Sequence, residues 1–411
     1  VIEIHNSGPE RYDLEVRCEI GADFGHLFDV KSGRPTTALG SLRATDHGLL
    51  IEENHDGHRC TRLASCPGPS AVRAGGCSWR LGLPPRDHWG VRVTVEPVTT
   101  DDDGRGRAAI DARAVDELAH HRYEMWQQLI PQVVSPDPRL SVAVEKSLED
   151  LASLRIFDTA HPELTVVAAG APWYMTLFGR DSLLTSYMAL PFAPWLVRGV
   201  LHELAELQGR TVDPSSGEEP GKILHELRTR GAPGPFSTRA RYYGTVDATP
   251  LYVLVAAEAA RWGAVSTADR AWLVPAVDAA MRWIREHGDR NDDGFVDYAP
   301  QGGQGLVNQG WKDSHDGVTF ADGRLPDPPI SLVEVQGYTY AALLGAADIY
   351  RAVGRHDDAA RCRHDAQSLR ESFNRTYWDE RGWFVEALDG TGRRVDSLGS
   401  NPGHALWTGI A

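Results

Sequence analysis

The stretches Leu332–Val353 (LVEVQGYTYAALLGAADIYRAV) and His356–Phe373 (HDDAARCRHDAQSLRESF) decide the fold. Both read as long helices, one directly after the other. Working back along the chain, the same reading gives helices at Thr267–Glu286, Thr249–Trp262, Pro194–Gln208 and Asp181–Ala189. Before them, Pro136 and Pro138 open a helical run over Arg139–Arg155. Long loops carrying Gly, Pro, Asp and aromatic residues join these helices. Successive antiparallel helices with functional loops at one end describe an α/α toroid or bundle. In a toroid the loops of the inner helices line a crater, which gathers motifs that are distant in sequence.

The first hundred residues have a different period. Val1–His5, Tyr12–Ile20, Leu49–Glu52 and Val91–Glu96 alternate apolar and polar residues. Asn6-Ser7-Gly8, Ser32-Gly33, Asp56-Gly57 and Gly75-Gly76 punctuate them as turns. Many short strands of this kind imply an antiparallel β-sandwich. Phe24, Phe28, Trp79 and Trp89 read as packing residues there. Asp101–Arg107 (DDDGRGR) is a polar linker, and Ala114–Leu129 is an amphipathic helix after it. The expected organisation is therefore a β-sandwich over 1–104, a linker with a helix over 105–135, and a helical catalytic domain over 136–411.

Composition excludes some functions. The formal charge is −15 with the acidic residues scattered, which disfavours a nucleic-acid partner. No run of about 18 apolar residues is present, so no membrane span is expected. The five cysteines, Cys18, Cys60, Cys66, Cys77 and Cys362, form no CxxC and no Cys/His zinc spacing. Their odd number fits reduced thiols in a cytoplasmic protein. Four of them fall in the first 80 residues, so a disulfide there stays open.

The chemistry concentrates in Asn308–Asp316 (NQGWKDSHD), after the Gly-rich loop Gln301–Gly305. An Asp beside a Trp is suited to stacking a sugar ring and protonating its glycosidic oxygen. Taken alone, the segment also reads as an Asx-rich turn capping a helix. In Gly170–Ser182 (GAPWYMTLFGRDS), Arg180 and Asp181 either open a capped helix or grip sugar hydroxyls. In Tyr242–Pro250 (YYGTVDATP), Asp247 either caps the next helix or binds a hydroxyl. Asp289–Asp297 (DRNDDGFVD) places Asp289, Asn291, Asp293 and Asp297 as in a calcium loop, with Gly294 at the sharp turn. Pro300 stands where such a loop needs Glu, so a tight Asx/Gly turn without metal is the favoured reading, with calcium as the lesser one.

Together these stretches resemble the bacterial-type amylo-α-1,6-glucosidase (glycogen debranching) family. The matching motifs are APWYMTLFGRDS (171–182), GKILHELR (221–228), YYGTVDATPLYV (242–253), DRNDDGFVDY (289–298) and NQGWKDSHD (308–316). FGHLFDVKSG (24–33) is similar to the family's N-terminal domain, though less distinctive. The resemblance implies a β-sandwich joined to an (α/α)6 six-hairpin glycosidase barrel, and an inverting hydrolase of α-glucosidic linkages. It makes Asp313 the general acid. The substrate-binding set it implies is Trp173, Phe178, Arg180, Asp181, Glu226, Tyr243, Asp247, Gln309, Trp311, Lys312, Asp316 and Gln336. No cofactor is expected.

The sequence also departs from that pattern. It gives seven or eight helices after the linker where a complete barrel has twelve, and Asn401–Ala411 (NPGHALWTGIA) reads as the start of another helix. The family's general base is a Glu in the later part of the barrel, and no position here matches it. Glu226 and Glu334 read as sugar-binding or structural. The expectation is a fragment, inactive by itself, with the base outside it. Competing readings are an (α/α)6 hydrolase of a rhamnoside, mannoside or disaccharide, and a noncatalytic glycan-binding protein. A barrel cyclase or lyase is disfavoured by the absence of a DDxxD cluster and of a Cys/His zinc site.

Overall fold

A computed structural model describes residues 1–22, 24, 30–31, 33, 41–45, 48–52, 59–73, 75–99, 112–157, 164–227, 241–300 and 305–411. The linker Asp101–Arg107, the turn at Asp56-Gly57, Phe28, Arg228 and most of Gln301–Gly305 lie outside the described residues. So does most of Phe24–Gly33. The chain divides into two compact units, Val1–Gln128 and Leu129–Ala411. Helix α1 (Ala112–Leu129) spans that division.

The first unit carries two antiparallel sheets. One has the order β1 (Ile2–His5), β8 (His88–Thr99), β5 (Arg59–Cys66), β4 (Gly48–Glu52), β3 (Ser41–Thr45). The other has β2 (Tyr12–Glu19), β7 (Gly76–Leu83), β6 (Ala71–Arg73). Leu49 and Ile51 of the larger sheet pack against Val72 and Cys77 of the smaller one, and against Val93. Alternating residues thus face inward from both layers, as a sandwich requires. Trp79 is buried and donates its indole N–H to the Pro67 carbonyl at 3.1 Å, with Trp89 tilted against it.

The second unit is helical. After α2 (Pro138–Ser153) and the hairpin β9–β10 (Arg155–Phe157, Thr165–Val167), helices alternate between two layers. The inner series is α3 (Gly179–Met188), α5 (Ala248–Arg261), α7 (Val333–Ala352) and α9 (Gly403–Thr408), each packed on the next in the series. Between them in sequence run α4 (Trp195–Glu206), α6 (Arg270–Glu286) and α8 (His356–Tyr377). The layers explain the composition. Helix α5 buries eleven of its fourteen residues, because neighbours cover it on nearly every side. Helix α8 buries Ala359, Cys362, Ala366, Leu369, Phe373 and Tyr377, a single stripe at three- and four-residue spacing, and leaves its charged face to solvent. Eight helices follow α1 among the described residues. Short strands, β11 (Glu226–Leu227), β12 (Arg241–Tyr242), β13 (Ser331–Leu332), β14 (Trp378–Asp379), β15 (Trp383–Phe384), β16 (Ala387–Leu388) and β17 (Arg394–Val395), occupy the loops that lead into the inner helices.

Helix α3 starts two residues earlier than the sequence suggests. Phe178, with extended backbone, holds its cap position without any side-chain hydrogen bond, so Asp181 sits in the first turn rather than at the cap. None of the helices among the described residues is long and apolar enough to cross a membrane.

Candidate active site

Arg180 organises the site. Its position in the first turn of α3 is 7 % exposed. One terminal nitrogen donates to Asp247 Oδ2 at 3.0 Å and to the Gly310 carbonyl at 2.9 Å; the other donates to Asp313 Oδ2 at 3.2 Å. A buried cation needs such partners. Burial opposes its charge, but Asp247, Asp181 and Asp313 outweigh burial and raise the guanidinium pKa. Asp247 holds the cap position of α5 without capping it. Its Oδ1 instead accepts from the Thr245 hydroxyl at 2.6 Å. Sequence spacing left Asp247 open between cap and site, and the structure assigns it to Arg180.

Three carboxylates therefore surround one guanidinium. Asp247 is fully buried, whereas the Asp313 side chain is 43 % exposed, so Asp313 is the member that reaches the open side. Asp181 is pushed up by burial, with Arg180 opposing and the negative charges of Asp247 and Asp313 adding to the rise.

The loop bearing Asp313 is fixed at several points. Leu306 N–H donates to the Tyr242 hydroxyl, the Tyr298 hydroxyl donates to Asn308 Oδ1, and Asn308 Nδ2 donates to the carbonyls of Ser314 and His315. The Gln309 carbonyl accepts from Val246 N–H at 2.9 Å. At Gly310 a Cβ would lie 2.3 Å from Leu332 Cδ1 and 3.4 Å from Glu334 Oε1, so a side chain there would have to displace Leu332.

Lys312 and Trp311 form the rim. Lys312 Nζ donates to Glu386 Oε1 at 2.9 Å and stands 5.9 Å from the Trp311 ring centre; Glu386 also accepts from the Ser397 hydroxyl. The Trp311 ring is 38 % exposed and lies 5.6 Å from the His404 ring. His404 is hydrogen-bonded through Nδ1 to the Tyr338 hydroxyl at 2.6 Å. Burial pushes its pKa down, opposed by Asp247 and helped by Lys312, so the ring is neutral near neutral pH. Trp407 continues the aromatic run, packing on Tyr338 and His404 and donating its indole N–H to the Tyr187 hydroxyl at 3.2 Å.

Glu334, in the first turn of α7, lies beneath Gly310 and is fully buried. Asn401 Nδ2 donates to its Oε1 at 2.9 Å, and its Oε2 has no hydrogen-bond partner among the described residues. Burial pushes its pKa up to about 8; its own backbone N–H and Asn401 oppose this, while Asp247 and Glu386 add to it. Glu334 is thus a neutral acid near pH 7.

On another side, Phe178 bridges to Glu226 through the backbone and stacks edge-on with Tyr174 and His225. Of the residues singled out in the sequence, Arg180, Asp181, Asp247, Gln309, Trp311, Lys312 and Asp313 come together. Trp173 is half-buried and Asp316 exposed, and neither is a partner of Arg180. Two others lie in the wall. The Tyr243 hydroxyl is committed to the Leu207 carbonyl at 2.7 Å, and both ends of the fully buried Gln336 amide bond backbone of Val296 and Leu332. His404, Glu386 and Asn401 were missed. Their local sequence, NPGH and FVEAL, carries no signal beyond a helix start and a strand.

The Asp289–Asp297 segment is a turn closed by its own backbone. Asp289 accepts from the N–H groups of Asp293 and Gly294, Asp293 accepts from Phe295 N–H and Asn291 Nδ2, and Asp297 accepts from Arg290 N–H. Gly294, at φ +88°, supplies the left-handed residue. Among the described residues no group of three or more His, Cys, Asp or Glu is placed to hold a metal ion.

Comparison with known proteins gives three matches. Residues 1–94 match the model of the N-terminal domain of (some) glycogen debranching enzymes. A bacterial glucoamylase solved in complex with acarbose superposes with a TM-score of 0.50 at 11 % identity, over 88 % of this chain and 51 % of that one. A GH78 family rhamnosidase of Bacillus sp. GL1 gives 0.45 at 14 % identity, over 92 % of this chain and 37 % of that one. The glucoamylase likeness is one of fold: antiparallel β-sheets followed by a helical toroid. The chain spans about half the length of that enzyme or less in the case of the rhamnosidase. No curated protein matches the sequence.

Proposed function

We propose that this chain carries the acid side of an inverting glycoside hydrolase acting on α-glucosidic linkages of glycogen-like or oligosaccharide substrates. The observation that supports the reading best is Arg180, which ties the outward-facing Asp313, two residues along the loop from the exposed Trp311, to the buried Asp247. The debranching-type N-terminal domain supports a glucan as the substrate.

Each part has a task in this reading. Trp311 stacks on the apolar face of a sugar ring. Asp181 accepts a hydrogen bond from a ring hydroxyl, while the buried Asp247 holds Arg180 in place. Asp313 gives a proton to the glycosidic oxygen as the bond to the anomeric carbon breaks. The Arg180 guanidinium, 3.2 Å from Asp313 Oδ2, favours the negative charge left on Asp313. Inversion needs a second carboxylate roughly 6.5–9.5 Å from the acid to activate water on the opposite face. Neither Glu386, held by Lys312, nor Glu334, buried and neutral, is poised as that base.

The test is to give the full-length protein a limit dextrin and a panel of α-linked gluco-oligosaccharides, rhamnosides and mannosides, and to follow the released sugar by proton NMR. The expected result is β-glucose appearing first from an α-linked glucan. Release of α-glucose would overturn inversion, and release from a rhamnoside or mannoside alone would overturn the glucan.

A further inference from the structure

Two of the cysteines meet where no sequence motif suggested a pair. The strands β2 and β7 run antiparallel with Cys18 directly opposite Cys77. Residues opposite each other in an antiparallel ladder point to the same face, so both thiols share one side of the smaller sheet. The type of pair follows from a neighbour. Ile20 N–H donates to the Gly75 carbonyl at 2.9 Å, and that pair lies two residues along the same register. Pairs alternate along the ladder, so Cys18 and Cys77 form a hydrogen-bonded pair with Cα atoms about 5.5 Å apart. A disulfide accepts Cα separations of about 4.4–6.8 Å.

Access and surroundings fit as well. Both cysteines are half-buried free thiols, and both border an open depression with Arg17 and Arg73. Burial pushes the Cys77 thiol up, and Cys18 adds to the rise. Cys77 also packs on the Leu49–Ile51 core, which holds its side chain in place.

We propose that Cys18 and Cys77 form an oxidant-made cross-strand disulfide, a modification site that clasps β2 to β7 in the first unit. The oxidant is a low-molecular-weight disulfide such as oxidised glutathione. The Cys18 thiolate attacks one of its sulfurs, forming a mixed disulfide and expelling one glutathione thiolate. The Cys77 thiolate then attacks the Cys18 sulfur and expels the second glutathione. Two protein thiols lose two protons and two electrons, and one glutathione disulfide becomes two thiols. Cys77 acts second because burial disfavours its thiolate.

The experiment treats the folded, fully reduced full-length protein with oxidised glutathione, blocks remaining thiols, and maps peptides without reduction. The expected result is a linked pair containing Cys18 and Cys77, removed by dithiothreitol. In Cys77→Ser, Cys18 should accumulate as a stable glutathione adduct. The proposal is overturned if both cysteines stay free or carry separate adducts in the folded wild type, or if either links to Cys60 or Cys66. The wild-type map decides even where the variant fails to fold.

Discussion

Two aspartate-rich segments, Asp289–Asp297 and Asn308–Asp316, sit a dozen residues apart and read alike in sequence, yet they do opposite things. In the first, Asp289 and Asp293 bond the segment's own backbone N–H groups, so the carboxylates build the turn. In the second, Asn308 and Gln309 anchor the loop, and Asp313 is left to meet Arg180 from another helix. Asp289 and Asp293 shape the chain around them, whereas Asp313 is part-exposed and its carboxylate meets a cation from another helix. Sequence spacing does not separate the two cases.

The largest effect should come from Arg180→Leu. It leaves Asp247 buried without its cation, and removing one partner of a buried pair costs roughly 3–5 kcal/mol. Urea denaturation should show that loss. Stability within about 1 kcal/mol of wild type would mean the Arg180–Asp247 pair is not the strut the comparison makes it.

A smaller, pH-dependent effect sits in the other segment. Asp297 is 1 % exposed, and burial pushes its pKa up to about 7, opposed by Arg290 and helped by Asp289 and Asp293. A carboxyl raised on folding binds its proton more tightly in the native state. Its contribution is therefore complete in acid and is lost as pH rises from about 4 to about 7. Asp297→Asn removes that slope while keeping an acceptor for Arg290 N–H. Relative to wild type, the variant should gain stability between pH 5 and pH 8, by at most a few kcal/mol, roughly. Parallel stability profiles would contradict this.

The smallest effect is Asp289→Ala, which removes two backbone acceptor bonds from an exposed turn and should cost about 1 kcal/mol. Catalytic rate should not change. A lost rate would mean the first segment belongs to the site after all.

Much of the helical unit was legible because its signal is periodic. The stripe of α8 and the all-round apolar character of α5 are fixed by how many sides a helix buries, and both show in sequence. The sandwich was only half legible. Strands Arg59–Cys66 and Gly76–Leu83 carry polar residues and glycine at positions that alternation alone does not mark, and their pairing with distant strands makes them strands. In the site, Arg180 and Asp247 stood out as charges at helix starts. That they bond each other is a long-range fact, as is the burial that turns Tyr243 and Gln336 into wall residues. Glu334 was weighed and set aside; its neutrality comes from depth, which one sequence does not state.

The central claim is that Asp313 supplies a proton to the leaving group. The direct measurement compares wild-type and Asp313→Asn full-length protein on two substrates, an α-linked gluco-oligosaccharide and α-glucosyl fluoride, whose fluoride leaves without general-acid help. The expected result is a loss of about 10²–10⁴-fold in kcat on the oligosaccharide with much of the fluoride activity retained. Equal loss on both substrates, or no loss on either, would contradict it.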